Sequence, residues 1–149
     1  MSTPRTEISL RPANERDAEA LAALCGQLGY PSTPAEIAAR LAWIRKFEDQ
    51  EVLVAECAGR VSAWMTLSVI RPLESPAWAE IDGLIVDETH RGLGIGAMLV
   101  DRAKAWAREQ GVRKLRVRAN EKRTRSHRFY ERCRFVLTKS QRVYDLEPE

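Results

Sequence analysis

The chain of 149 residues has no apolar run near the ~20 residues a bilayer-spanning helix needs. Its opening, MSTPRTEISLRP, has no apolar stretch of the secretory kind, so a soluble cytoplasmic protein is the expectation. Cysteine is scarce: Cys25, Cys57 and Cys133 are widely spaced and form no C-x-x-C. With only His90 and His127 beside them, no metal site is expected. Reduced thiols serving as small core residues fit this pattern best. Internal repeats and low-complexity stretches are also missing. What is present is an ordinary globular balance, 44% hydrophobic and 30% charged. That excludes a wholly disordered chain, a collagen-like chain and a disulfide scaffold. The length is one domain's worth, so residues 1–149 are read as a single domain.

The net charge of +3 is unevenly spread. Residues Arg113 to Arg134 hold ten Lys/Arg against two Glu, a local +8, which leaves −5 for the rest. Such a block points to an anionic partner, with a solvated helix face as the bland alternative.

Hydrophobic spacing predicts a strand over Ile8–Arg11, then a helix capped by Asn14 with Ala18, Leu21, Leu24, Cys25 and Leu28 on one face, ended by Gly29. Thr33-Pro34 starts a second helix running to about Phe47, with Ile37, Leu41 and Ile44 buried. Glu51–Ala58 and Val61–Ile70 read as a hairpin turning at Gly59-Arg60, and Trp78–Val86 as a third long strand. A helix over Gly94–Gln110, a strand over Arg113–Ala119, a short helix over Thr124–Cys133 and two last strands, Phe135–Thr138 and Arg142–Leu146, complete the order β-α-α-β-β-β-α-β-α-β-β. This is an α/β (α+β) arrangement.

The sharpest feature is Arg91-Gly92-Leu93-Gly94-Ile95-Gly96, between a strand and a helix. Glycines let backbone approach a ligand, and a helix N-terminus offers unpaired N–H groups and partial positive charge. Together they make a pyrophosphate cradle. The alternative is a tight turn that binds nothing. A P-loop is excluded, because no G-x-x-x-x-G-K-[ST] occurs. Gly92-Leu93-Gly94-Ile95-Gly96-Ala97 matches the dinucleotide form G-x-G-x-x-A, but the next strand ends Arg118-Ala119-Asn120, without the acidic residue that would hold a ribose.

The segment Arg91–Gly96 resembles the R/Q-x-x-G-x-G/A signature of the GNAT superfamily of acyl-CoA N-acyltransferases. A second stretch agrees: residues 126–135, SHRFYERCRF, are similar to that family's A-x-x-F-Y-E-x-x-G-F. The resemblance implies a GNAT-like domain, a mixed, mostly antiparallel central sheet with about four helices, and acetyl-CoA as co-substrate without a metal. The cradle, Arg91 through Gly92, Leu93, Gly94, Ile95 and Gly96 to Ala97, would bind the pyrophosphate. The strand end Leu84, Ile85 and Val86 would pair with the pantetheine arm, in the gap where this strand splays from the next. Asn120 would hydrogen-bond the pantetheine. Arg123 and Ser126 join the cofactor side, and Arg123, Arg125 or Arg128 would meet the CoA phosphates. Arg134 and Ser126 depart from the family pattern, Arg134 standing where glycine is usual. If that position needs positive φ, arginine costs about 1–2 kcal/mol.

The implied reaction is acetyl transfer from acetyl-CoA to a primary amine, by direct attack through a tetrahedral intermediate. An alkylammonium with pKa near ~10.4 must first lose a proton. Glu80, eleven residues before Arg91, is the best candidate base, and Asp82 is a near-equal alternative. Strict alternation would put Glu80, Asp82, Leu84 and Val86 on one strand face; pairing with a neighbouring arginine is the plain alternative for either carboxylate. A strand-end N–H near Ile85 or Val86 would stabilise the oxyanion. Tyr130 would protonate the leaving thiolate, against the alternative of packing with Phe129 and Phe135. His90 and His127 read as surface residues. A non-catalytic acyl-CoA-binding regulatory module is the competing reading. Nucleic acid fits poorly, since aromatics beyond Phe129 and Tyr130 do not interleave the basic block. The expected partner is a small-molecule amine or a protein lysine, with no membrane, and a homodimer is compatible with this reading. Tyr30, Trp43, Phe47 and Trp78, with Glu36, Glu48 and Asp49, would form an aromatic, partly acidic acceptor wall.

Overall fold

In the computed structural model, residues 7–149 are described; the opening MSTPRT, read above as lacking a secretory signal, lies outside the described residues. The chain forms two compact units, residues 1–118 and 119–149.

In the first unit, β1 (Ile8–Pro12) leads through a 3-10 turn (Glu15–Asp17) into α1 (Ala18–Leu28). Asn14 and Asp17 form a reciprocal capping box there. Gly29, at φ 98°, closes α1 in the left-handed conformation. A second capping box, Thr33 with Glu36, and Pro34 at the first helical position start α2 (Pro34–Ile44). Then come β2 (Gln50–Cys57), β3 (Arg60–Ile70), β4 (Trp78–Val86), α3 (Ile95–Glu109) and β5 (Leu115–Val117). The sheet order is β1-β2-β3-β4-β5, antiparallel except for the parallel β4–β5 pair. The β2–β3 turn is Ala58-Gly59, one residue earlier than expected, with both residues at positive φ. That is the combination a two-residue hairpin with right-handed strand twist demands.

One face of the sheet carries Val52, Val54, Trp64 and Ile85, packed with Leu21 and Leu24 of α1 and Leu41 of α2. Met65, Leu67 and Ile81 alternate to the other face, where α3 packs with Ile95, Leu99, Val100, Ala103 and Trp106 buried. β5 has three residues, whereas alternation predicted seven over Arg113–Ala119. Alternation marks residues able to pair, but the ladder with β4 stops at Ile81 opposite Val117, although β4 itself runs on to Val86.

The second unit holds α4 (Thr124–Arg132). The two strands expected over Phe135–Thr138 and Arg142–Leu146 do not form: residues 135–149 contain neither helix nor strand. Val136, Leu137, Val143, Tyr144 and Leu146 are exposed, so their alternation is not matched by a buried face. A strand without a ladder partner leaves its backbone groups to water and gains nothing over coil.

Candidate active site

The register of β3 with β4 changes at Asp82. Thr66 lies opposite Gly83 and Leu67 opposite Ile81, so Asp82 is the extra residue of a β-bulge. This corrects the single-face expectation. Glu80 lies opposite Ser68 and Leu84 opposite Met65, residues of opposite parity in β3. Glu80 therefore shares the α1/α2 face with Gly83 and Ile85, while Leu84 faces α3. A one-residue insertion inverts every later side chain, and no alternation pattern reveals where it falls.

Glu80 is buried, at 8% exposure. Its Oε1 accepts from Trp78 Nε1 at 3.2 Å and lies 3.3 Å from Arg118 Nε. Asp82 is solvent-exposed, and its Oδ1 accepts from Ser68 Oγ at 3.0 Å. Crowding by protein on one side pushes the Asp82 carboxyl up, the Ser68 bond opposes this, and nearby Glu80 adds to it. Trp78 is itself buried, with Lys114 Nζ 4.6 Å and the Arg116 guanidinium 4.2 Å from its ring centre. It is therefore part of the sheet's packing and not of an open acceptor wall. Its expected companions Tyr30, Trp43 and Phe47 are exposed, with Trp43 and Phe47 edge-to-face at 5.7 Å.

Beyond the bulge, β4 runs from Asp82 to Val86 past its last β5 partner, Ile81. Along Leu84, Ile85 and Val86 the edge away from β3 therefore has no strand partner among the described residues. The chain then passes through Asp87, whose side chain accepts from Thr89 N, to a 3-10 turn (Glu88–His90). Gln27 of α1 braces this turn, donating to Asp87 Oδ1 at 3.5 Å and accepting from Glu88 N at 3.1 Å. Gly92 and Gly94 both take positive φ, 85° and 83°, and Gly94 caps α3. A Cβ at either would meet nothing within 4 Å, so backbone conformation, not protein crowding, calls for glycine, and the space above the turn is open. The helix's first N–H groups have no intrahelical acceptor. Arg91, Leu93, Ile95, Gly96 and Ala97 complete the turn and the first helical residues. Unpaired N–H groups and the partial positive charge of a helix N-terminus favour an anionic group at such a turn.

The second unit holds the other expected residues. Asn120 Oδ1 accepts from Lys122 N at 2.9 Å, and its carbonyl lies 2.8 Å from His127 Nε2. Arg123 precedes α4 and Ser126 lies in its first turn. Tyr130 packs edge-to-face with Phe129 at 5.1 Å and with Phe135 at 5.6 Å. Burial pushes its phenol up to about 12. Such a phenol keeps its proton at neutral pH, and the upward push makes it a weaker acid than a free tyrosine. Groups of three or more His, Cys, Asp or Glu placed to hold a metal do not occur among the described residues, and no described helix is long and apolar enough to cross a membrane.

Ser68, Arg118 and Gln27 escape a sequence reading, because each acquires its role by contact across the sheet or between elements. Only the bulge register places Ser68 beside Asp82.

The model of the Acetyltransferase (GNAT) family matches residues 17–135. No curated protein sequence matches the chain. Among solved structures, an aminoglycoside N-acetyltransferase, AAC(6')-Iy in complex with CoA, aligns with TM-score 0.86 at 16% identity, covering 99% of this chain and 100% of that one. Glucosamine-6-phosphate N-acetyltransferase from Arabidopsis thaliana aligns with TM-score 0.81 at 20% identity, covering 95% and 99%. A transcriptional regulator from Bacillus halodurans C-125 aligns with TM-score 0.85 at 22% identity, covering 94% and 100%. At these identities the likeness is one of fold.

Proposed function

The chain belongs to the GNAT acetyltransferase family, and from that premise we propose that it moves an acetyl group from acetyl-CoA to a primary amine by direct attack on the thioester. The observation that carries this reading is the sequence of an unpaired β4 edge followed at once by a left-handed glycine turn at a helix N-terminus. The turn would hold the pyrophosphate, and the backbone of Leu84 to Val86 would hold the pantetheine arm as an added strand. A backbone N–H at Ile85 or Val86 would stabilise the oxyanion of the tetrahedral intermediate. The carboxylate pair Glu80 and Asp82 would take the ammonium proton, directly or through water. Tyr130, protonated at neutral pH, would donate its proton to the departing CoA thiolate. Asn120, Arg123 and Ser126 remain candidates for the cofactor side.

The acceptor is a small-molecule amine or a protein lysine. The solved neighbours named for an aminoglycoside and a sugar phosphate support the first. The residues 1–149 act as one domain in this reading.

Calorimetry with Gly94→Asp tests the cradle. The substitution puts a side chain at φ 83° and a negative charge against the pyrophosphate. Affinity for acetyl-CoA falls at least about tenfold, or ~1.4 kcal/mol; undiminished affinity in a folded variant overturns the cradle. CoA release with kanamycin, spermidine and an unblocked lysine peptide tests the transfer. Binding of acetyl-CoA with no release from any amine would favour the regulatory-module reading.

A further inference from the structure

We propose that Asp82, and not Glu80, takes the amine proton, and that the Ser68 hydroxyl positions it for this step. The assignment rests on the acetyl-transfer reading above and goes beyond it. In the step, an N–H bond of the ammonium breaks, the proton goes to a carboxylate oxygen of Asp82, and the freed lone pair attacks the thioester carbon. The resulting carboxylic acid returns the proton to bulk water.

Three geometric facts separate two carboxylates that are two residues apart. First, the bulge makes Asp82 the residue that no β3 partner opposes, so its backbone departs from the regular pleat where β4 leaves β5. Second, Glu80 is buried and its Oε1 is already engaged by Trp78 Nε1 and Arg118. Third, Asp82 is solvent-exposed and holds one bond, from Ser68 Oγ to Oδ1, while Oδ2 has no partner among the described residues. Glu80 Oε2, like Asp82 Oδ2, has no hydrogen-bond partner among the described residues, so burial and the Arg118 cation are what set Glu80 apart. A proton acceptor needs a free oxygen, a fixed orientation and a route for the proton to leave. Asp82 has all three.

The environment agrees. The Asp82 carboxyl is pushed up by partial desolvation and by the negative Glu80, and held back by the Ser68 donor. On β2 the residue opposite Ser68 is uncharged Gln50. Arg118 acts on Glu80. Two neighbouring carboxylates in unlike surroundings divide their roles in this way.

The test joins a carboxyl 13C NMR titration of the free protein to pH profiles of kcat/KM with acetyl-CoA and the best accepted of kanamycin, spermidine and the lysine peptide. Ser68→Ala removes a donor to the ionised form, so the Asp82 titration and the acidic limb of the profile both move to higher pH. Ser68→Thr restores the hydroxyl and returns both toward the native position. Glu80→Gln removes the negative neighbour and moves both to lower pH. Asp82→Asn abolishes the limb and lowers the neutral-pH rate on the order of 10²–10⁴-fold. A native limb in Asp82→Asn, or a limb lost in Glu80→Gln instead, overturns the assignment while leaving acetyl transfer intact. A limb unmoved by Ser68→Ala overturns the positioning role. Release of no CoA by the native protein with any amine overturns the transfer reading itself, and is recognised because the Ser68 effect on the Asp82 titration persists.

Discussion

Arg134 stands at φ 72° in the left-handed region, where an L side chain crowds the following carbonyl. The cause lies in the end of α4. Arg134 N donates to Glu131 O at 2.9 Å and Phe135 N to Tyr130 O at 3.0 Å, the paired bonds of a Schellman close. Those bonds require a left-handed residue at this place, and glycine meets the requirement without strain. Arg134→Gly therefore stabilises the protein by about 1 kcal/mol. A higher denaturant midpoint at unchanged slope checks this; a lower midpoint would show that the arginine side chain contributes more than its backbone costs. Tyr130, on the same helix, raises a separate question of chemistry. Tyr130→Phe keeps both edge-to-face ring contacts and deletes the proton donor. If the hydroxyl acts in the transition state as proposed, turnover falls while acetyl-CoA affinity stays near native. An unchanged turnover number in a chemistry-limited assay would return Tyr130 to packing alone.

Among the elements, two junctions hold the site's frame. At the first, Arg11 of β1 forks onto both oxygens of Asp17, at 2.9 and 2.8 Å, and reaches Glu56 of β2 at 2.8 Å. Asp17 is 5% exposed and also accepts from Asn14 N. The bond from Arg11 holds the Asp17 carboxyl below the usual carboxylate range. A lowered folded pKa means stability that is fully present above the unfolded value of ~3.9 and lost as pH falls through the folded one. Asp17→Asn should therefore cost about 1.5–3 kcal/mol at pH 7, the range for a hydrogen bond to a charged group. The difference from native should shrink as the pH is taken below ~3.9, and urea melts at pH 7 and pH 3 read it; an equal deficit at both would deny the ion pair its role. At the second junction, a Cβ on Gly83 would lie 2.7 Å from Cζ3 of Trp64, a buried ring with Val54 and Ile85 around it. Gly83→Ala forces the ring aside and destabilises by about 1–3 kcal/mol. Trp64→Leu in the same chain relieves the overlap, so the double variant loses less than the two single losses added. Strict additivity would mean the ring moves away freely.

Across the whole molecule, charge is the long-range feature. The +8 carried by residues 113–134 gives the net-positive chain an anion-attracting segment. Attraction of this kind is screened over a Debye length of about 10 Å at 0.1 M salt and about 3 Å at 1 M. Acetyl-CoA affinity should therefore weaken by about threefold or more between 0.05 and 0.5 M NaCl. Dephospho-CoA, with fewer charges, should show a flatter dependence. Equal slopes for the two ligands would place the 3′-phosphate outside the field of these residues.

The same scales separate what could be read from the chain and what could not. Local chemistry was legible: the capping residues Asn14 and Thr33 with Pro34, the closing Gly29, and the glycine turn Gly92–Gly96 all act within a few residues of themselves. Strand β4 matched its expected bounds, Trp78–Val86, and α3 fell within one residue at each end, because its apolar residues recur at the spacing of the buried face. The condition raised for Arg134, where the resembling family usually has glycine, is met: its φ is positive, 72°. Tertiary structure alone decided the rest. A bulge is a mismatch between two strands, so Asp82 could not be identified as its extra residue from β4 by itself. The short β5 depends on where the β4–β5 ladder stops, at Ile81 just before the bulge, and the coil of residues 135–149 on the lack of a ladder partner, neither of which alternation encodes. The grip of Trp78 and Arg118 on Glu80, and of Ser68 on Asp82, joins residues at register positions set by sheet pairing. The chain supplied two carboxylates with Glu80 ranked slightly ahead of Asp82, and only the pairing of three strands made Glu80 buried and engaged and Asp82 open.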